Sequence, residues 1–259
     1  MKLIDRLAVL LLNLCLVIAA AVGPALFLAS SPAYYHKQFE ATGIYAEDGV
    51  RTPIYYVGGK GRNVARFSDE QLDAIASHIV NFLFGDTEDF TLVMDGVELN
   101  GVETDGVSVF GEEAVSHMAD VKSLMTVGRY GVLVALCLLP LLLLYLFARR
   151  HAAGRLALRY TLIFYAVLLV AAAAFLYITV EEANGGDLAS ALWQNAHHLF
   201  FPFQPDKVAG SFFNDALTCI LTLELFMSAV YIVVATVCVA LALWFLIALR
   251  LRRSDYTVW

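Results

Sequence analysis

Apolar positions along the chain gather into four long runs that polar segments separate. The runs cover residues 7–29, 130–147, 158–180 and 216–249. A helix needs roughly 20 mostly apolar residues to cross the hydrocarbon of a bilayer, and a run of about 18 already makes a candidate span. The pattern therefore predicts four transmembrane helices rather than the interior of a soluble domain.

The first and last runs each leave a choice open. The first follows Met1-Lys2-Leu3 as a signal peptide would, but its apolar core exceeds the usual ~7–15 residues, which favours a retained helix. The last run is about ten residues longer than one span needs and contains Glu224. It predicts either a tilted helix or a helix whose first turns lie outside the hydrocarbon.

Composition agrees with a membrane protein. Hydrophobic residues make up 60% of the chain and charged residues 16%, against about half and a quarter in ordinary soluble domains. The four cysteines all lie in the apolar runs. This placement suggests neither a disulfide framework nor a Cys-x-x-Cys metal site, and it favours packing residues.

Charge asymmetry predicts the orientation. Short cytoplasmic loops carry an excess of Lys and Arg. The N-terminus, the segment at residues 148–159, where run two gives way to run three, and the C-terminal tail hold nine of the 17 basic residues and only two of the 24 acids. The basic residues are Lys2, Arg6, Arg149, Arg150, Arg155, Arg159, Arg250, Arg252 and Arg253. We therefore expect both termini inside the cell and an acidic outer surface, with no basic stripe for nucleic acid.

The long outer segment predicts a small α+β cap. Its first part is rich in Tyr and Gly and is typical of irregular or extended chain, with Tyr34, Tyr35 and Phe39 as an interfacial aromatic belt. Ser68, with Gln71 three residues later, predicts a helix start. That helix is expected to end at Gly85, and Asp95-Gly96 predicts a hairpin turn.

These elements give a mainly α polytopic membrane protein, with four transmembrane helices and an extracytoplasmic α+β cap domain between helices 1 and 2. The expected order is a transmembrane helix at 1–29, the cap at 30–124, a transmembrane helix at 125–148, a cytoplasmic loop at 149–157, a transmembrane helix at 158–180, an outer or re-entrant loop at 181–215, a transmembrane helix at 216–250 and a cytoplasmic tail at 251–259.

Candidate chemistry gathers at the predicted outer membrane interface. His117 and Asp120 precede the second span, and the adjacent His197 and His198 lie in the re-entrant segment. Neighbouring residues of a helix point about 100 degrees apart, so at most one of the two adjacent histidines is expected to face a shared site. Asp215, just before the last run, and Glu224, within it, approach the same level.

Three kinds of chemistry fit these groups. Two histidines suit general acid and base work on an ester or amine. His117, Asp120 and one of the adjacent histidines could instead hold zinc, although their spacing is not a recognised zinc pattern. Glu224 and Arg129 could form a proton or ion relay in a transporter. The motifs G-x-S-x-G and H-E-x-x-H are missing from the sequence.

Several motifs resemble one family over nearly the whole chain. The order SPAYY, FSDEQLDAIASHIVNFLFG, HMADVKSLM, HHLFFP and SFFNDA is similar to that of the lipoprotein intramolecular transacylases of Gram-positive bacteria. The resemblance implies a plasma-membrane enzyme that needs no cofactor. Its expected partners are diacylglyceryl-modified lipoproteins and membrane lipids, and it is expected to move an sn-2 acyl chain to the α-amine of the lipid-bearing cysteine.

The resemblance also implies a histidine pair. It places the two catalytic histidines at His117 in HMADVK and His197 in HHLFFP, with one acting as base and the other as acid. We count six further residues as supporting: Asp120, His198, Asp215, Arg129, Glu224 and Tyr35. The alternatives are a small transporter that handles metal or protons, and an accessory membrane protein without catalytic activity.

Overall fold

The computed structural model describes residues 3–45, 53–56, 63–85, 87–200 and 216–253. The helices are α1 Leu3–Ala29, α2 Pro32–Thr42, α3 Asp69–Phe84, α4 Glu112–Ala148, α5 Arg150–Ala183, α6 Leu188–Phe200, α7 Ala216–Ile220 and α8 Leu223–Arg253. The strands are β1 Pro53–Tyr56, β2 Asn63–Arg66, β3 Val93–Met94, β4 Val97–Leu99, β5 Val102–Thr104 and β6 Val107–Ser108.

The chain divides into two compact units. One, here the helical unit, contains Met1–Leu26, Val127–Leu188 and Val230–Trp259. The other, here the mixed unit, contains Phe27–Thr126 and Ala189–Ala229. The mixed unit therefore joins the segment predicted as a cap to part of the segment predicted as a re-entrant loop.

Helix α3 is central to the mixed unit and begins as the sequence predicts. The Ser68 side chain accepts a hydrogen bond from the Gln71 amide, and the Gln71 side chain accepts one from the Ser68 amide. Two of the four amides that the first turn leaves without a helical partner are satisfied in this way. The helix is amphipathic, and it buries Leu72, Ile75 and Ile79 in the core of the unit.

Two small sheets complete the mixed unit. One has the strand order β1-β2-β4-β5 and the other pairs β3 with β6, all antiparallel. The prediction of a hairpin turn at Asp95-Gly96 is wrong, because the strands on either side of it belong to different sheets. The tight hairpin turn lies instead at Asn100-Gly101, where both residues have positive φ as a type I′ turn requires. At Asp95-Gly96 only the glycine does.

The prediction of irregular or extended chain at the start of the outer segment is also wrong in part. Helix α2 occupies residues 32–42, with Pro32 in its first turn and Gly43 as a left-handed C-cap. Two of the three aromatics predicted as an interfacial belt, Tyr35 and Phe39, are buried in the core of the mixed unit. One turn of helix separates them, so one face of α2 supplies both.

Four helices are long and apolar enough to cross a membrane. They cover Leu3–Ala29, Glu112–Ala148, Arg155–Ala183 and Leu223–Arg252. Much of their apolar surface is exposed, as Leu133, Leu169 and Val170 illustrate, which suits contact with lipid. The four predicted apolar runs thus correspond to four helices.

The helical unit contains a buried polar contact between three of these helices. Thr161 on α5 accepts hydrogen bonds from the Asn13 side chain of α1, at 3.3 Å, and from the Trp244 indole of α8, at 2.9 Å. All three side chains are buried. Polar side chains that bond across helices help to fix helix pairing where lipid surrounds the protein.

The boundaries of the spans differ from those predicted. Helix α4 has 37 residues and is continuous across the expected border at residues 124 and 125. Helix α5 begins at Arg150, inside the predicted cytoplasmic loop. The last apolar run is not one helix, because it divides between Ile220 and Leu223 into α7 and α8. The division explains its excess length, since a short helix precedes the long one.

Candidate functional site

His117 lies near the start of α4, in the part that belongs to the mixed unit. Ala114 and Met118, on either side of it along the helix, are buried in the core of that unit. The first turns of α4 are therefore anchored by their apolar side, and His117 is half-buried at its edge. Helix α4 begins before the most apolar part of its sequence. His117 therefore lies on a regular helix rather than on a loop.

His197 lies near the end of α6, and the helix itself fixes the orientation of its ring. Its Nδ1 donates a hydrogen bond to the backbone carbonyl of Trp193, one turn earlier, at 3.2 Å. A carbonyl can only accept, so Nδ1 carries the proton and Nε2 is the unprotonated nitrogen of the neutral ring. The Trp193 indole meets the His197 ring edge-on, with the centroids 3.9 Å apart.

The two histidines face one another across α4 and α6. Their ring centroids are 6.1 Å apart and the ring planes differ by 23°. Burial lowers the pKa of His197 below its ordinary value of 6.5, the hydrogen bond to Trp193 opposes this shift, and the nearby His117 and His198 lower the pKa further. His197 is therefore neutral at neutral pH, the form in which an imidazole can accept a proton.

The supporting residues are distributed unevenly around this pair. Asp120 is half-buried one turn after His117, whereas His198 is exposed at the end of α6. Glu224 is exposed in the first turn of α8. Arg129 is exposed and belongs to the helical unit rather than to the mixed unit. Asp215 lies outside the described residues.

Tyr35 does not contact the pair through its ring. It is buried, it donates a hydrogen bond to the carbonyl of Ala29 at 3.2 Å, and burial raises the pKa of its hydroxyl far above the ordinary value. Its neighbour Tyr34 contacts the last helix instead. The Tyr34 hydroxyl donates to the backbone carbonyl of Leu225 on α8 at 2.6 Å and lies 2.5 Å from the Ser228 hydroxyl.

The zinc alternative needs three ligands in one place. Within the part of the chain that the structure describes, no group of three or more His, Cys, Asp or Glu side chains is arranged to hold a metal ion. His117, Asp120 and the two adjacent histidines all lie in that part and do not form such a group.

Two aromatic residues beside the histidine pair, Trp193 and Phe226, were not predicted from the sequence. They are called the site wall below. Trp193 stacks on Phe226 of α8, with ring centroids 4.1 Å apart, and Phe226 packs against the core of the mixed unit. A sequence signal existed for Trp193, because it precedes His197 by four residues in a segment predicted to be helical. None existed for Phe226, since only the fold brings α8 to α6.

The decisive comparison is with protein families. The family model described as "Lipoprotein intramolecular transacylase Lit" matches residues 7–183. The chain belongs to the lipoprotein intramolecular transacylase Lit family. The matched segment includes His117 and ends before His197, so the Lit family match covers one histidine of the pair.

Solved structures of Lit from Bacillus cereus have the same fold. One matches with a TM-score of 0.60 at 13% identity, over 98% of this chain and 99% of that one. A form with a histidine replaced by arginine matches with a TM-score of 0.59 at 13% identity, over 97% and 93%. A form with a histidine replaced by alanine matches with a TM-score of 0.60 at 13% identity, over 98% and 96%. No curated protein matches the chain.

The membrane character of this Lit family member follows from two observations. Four of its helices are long and apolar enough to span a bilayer. The Bacillus cereus proteins that share its fold are described as membrane integral. The protein is therefore a multi-pass membrane protein.

Proposed function

We propose that the protein moves the sn-2 acyl chain of a diacylglyceryl-cysteine lipoprotein to the α-amino group of the same cysteine. The observation that carries the proposal is the pair His117 and His197, whose ring centroids lie 6.1 Å apart in a member of the Lit family. The product is an N-acyl lipoprotein that keeps one acyl chain on its glycerol.

The chemistry needs two proton transfers and no co-reactant. One histidine accepts a proton from the α-amine as its nitrogen attacks the ester carbonyl. The carbon–oxygen ester bond breaks, the amide bond forms, and the other histidine donates a proton to the departing glycerol oxygen. Atoms balance within the one substrate, so its total mass is unchanged.

Proximity lowers the barrier to the transfer. Amine and ester belong to one lipoprotein, so binding that molecule brings the reacting groups together without a second substrate. The neutral His197, which burial keeps below its ordinary pKa, is in the correct form to accept a proton near pH 7.

The proposed location is the outer face of the plasma membrane. The N-terminal end of α1, the junction of α4 with the first turns of α5, and the C-terminal end of α8, with the residues beyond them, hold nine of the 17 basic residues. This favours a cytoplasmic position for all three. Along the chain, His117 precedes the apolar part of α4, and His197 follows the end of α5. Both therefore lie next to the ends of these helices that are far from the basic segments. A lipoprotein whose acyl chains occupy the outer leaflet would reach them there.

Mass spectrometry of a reporter lipoprotein tests the activity itself. The reporter would be produced with this protein, and separately with an empty vector, in a host that leaves lipoproteins diacylated with a free amine. We expect the N-terminal peptide to keep its mass while fragmentation moves one acyl chain from glycerol to nitrogen. A peptide that keeps both chains on glycerol, in cells where the protein is folded and inserted, would overturn the proposal.

A further inference from the structure

Trp193 touches His197 in two separate ways. Its backbone carbonyl accepts the Nδ1 proton at 3.2 Å, and its indole lies edge-on to the imidazole with the centroids 3.9 Å apart. The first contact selects a tautomer and the second covers the ring. Both come from a residue one helical turn away, so the helical conformation of α6 brings Trp193 and His197 together.

The Trp193 indole is itself held from the other side. It stacks on the Phe226 ring, with the ring centroids 4.1 Å apart. The residue before Phe226 is Leu225, whose backbone carbonyl accepts a hydrogen bond from the Tyr34 hydroxyl at 2.6 Å. Phe226 packs on a core in which Leu225 is buried. The aromatic series Phe226, Trp193, His197 and His117 thus connects α8, α6 and α4 within the mixed unit.

Two neighbouring histidines influence the pKa of His197. His117 faces it from α4 and His198 is adjacent on α6, and both disfavour its protonation. Asp120 lies one turn beyond His117 on α4. From α8, Phe226 stacks on Trp193, while Glu224 is exposed two residues before it. The Trp193 indole therefore gives the His197 ring an apolar neighbour.

We infer that Trp193 is a positioning residue for the transfer reaction, holding the His197 ring against His117 in its Nδ1-protonated tautomer and shielding it from water. This inference rests on the proposed function. The indole lies edge-on against the His197 ring, and the stack on Phe226 holds the indole in place. Replacing the indole with a small side chain would admit water and free the imidazole to rotate.

The test is a pH titration of His197 by nitrogen-15 histidine NMR on the full chain in detergent micelles, without substrate. His197→Gln identifies the signal. In Trp193→Ala we expect the pKa of His197 to rise toward 6.5 and both tautomers to be populated, whereas Trp193→Phe should stay close to wild type. Gln194→Ala, an exposed neighbour on the same helix, is the matched control and should leave the titration unchanged.

Activity provides the second readout. In Trp193→Ala we expect kcat to fall by about ten- to a hundredfold with KM little changed, since a misplaced catalytic group loses rate rather than binding. The limb of the pH–rate profile that belongs to His197 should move to higher pH. Should Trp193→Ala fail to fold, Phe226→Leu removes the stacking ring while keeping apolar bulk, and it should shift the titration in the same direction.

One result would overturn the inference: a folded Trp193→Ala or Phe226→Leu protein whose His197 titration and tautomer match those of the wild type. The NMR measurement needs no substrate, so it separates this failure from failure of the proposed activity. If Trp193→Ala shifts the His197 titration but the wild type transfers no acyl chain, the positioning role of Trp193 stands. The transacylase proposal is then rejected.

Discussion

The imidazole of His197 lies against that of His117, with ring centroids 6.1 Å apart and 23° between the ring planes. The two residues are 80 positions apart in the chain, and they come from the beginning of α4 and the end of α6. The exposed His198 sits beside this pair and the half-buried Asp120 lies one turn away.

Stability should depend on the charge of His197. Its pKa is lower in the folded protein than in the unfolded chain, so the unfolded chain takes up a proton more readily as pH falls through 6.5. The stability due to neutral His197 is present above pH 6.5 and is lost as pH falls toward the lowered pKa. We expect Tm to drop more in wild type than in His197→Gln when thermal unfolding is measured above and then below pH 6.5. Equal drops in the two proteins would contradict this.

Gly85 should not tolerate a side chain. A Cβ there would lie 2.7 Å from the backbone carbonyl oxygen of Asn81, which cannot move away without disturbing the end of α3. We expect Gly85→Ala to lower the free energy of unfolding by about 1–3 kcal/mol. Gly23→Ala is the control, because nothing lies within 4 Å of its Cβ position. If chemical denaturation finds the two variants equally stable, the close approach at Gly85 has no energetic consequence.

Removing the hydroxyl of Thr161 should loosen the helical unit. Thr161→Val leaves the Asn13 amide and the Trp244 indole without a shared acceptor, at a cost of about 1 kcal/mol. Thr236→Val is the matched control, since the half-buried Thr236 donates its hydroxyl hydrogen bond to the carbonyl of Ile232 on its own helix. In thermal unfolding in detergent, Thr161→Val should have a lower Tm than Thr236→Val. The reverse ranking would argue against an interhelical role.

Sequence patterns were sufficient where one element carries its own signal. The four apolar runs, the Ser68–Gln71 capping box and the buried face of α3 are local features, and each was predicted from residues within one segment. The Lit family resemblance rested on motifs in the same way, and the family match supports it.

Errors arose where two signals competed or where pairing is not local. A Tyr-rich segment with Pro32 and Gly43 at its ends forms α2, because the start and stop signals outweigh the β-favouring aromatics inside it. Asp95-Gly96 was predicted as a hairpin turn, whereas Asn100-Gly101, a dipeptide that also favours such turns, was not. Only strand pairing across the sheet, which depends on β2, shows that the second one is the hairpin.

The site was predictable in part for the same reason. His117 and His197 stand in recognisable motifs, but their distance depends on the packing of α4 and α6 and could not be calculated from spacing. Phe226 and Tyr34 carry no motif, and they reach the site wall only because α8 and α2 pack in the mixed unit. The roles of Asp215 and Asp120 stay predictions.

The most direct test of the account compares single histidine variants in the lipoprotein peptide assay. Membranes containing wild type, His117→Ala, His197→Ala or His198→Ala at equal levels of folded protein would each be given the diacylated reporter, and acyl transfer to nitrogen would be measured over time. We predict that replacing either member of the pair lowers the rate of acyl transfer by about a hundred- to ten-thousandfold. His198→Ala should retain most of the wild-type rate. Near-normal transfer by folded His117→Ala or His197→Ala would contradict general acid and base catalysis by this pair.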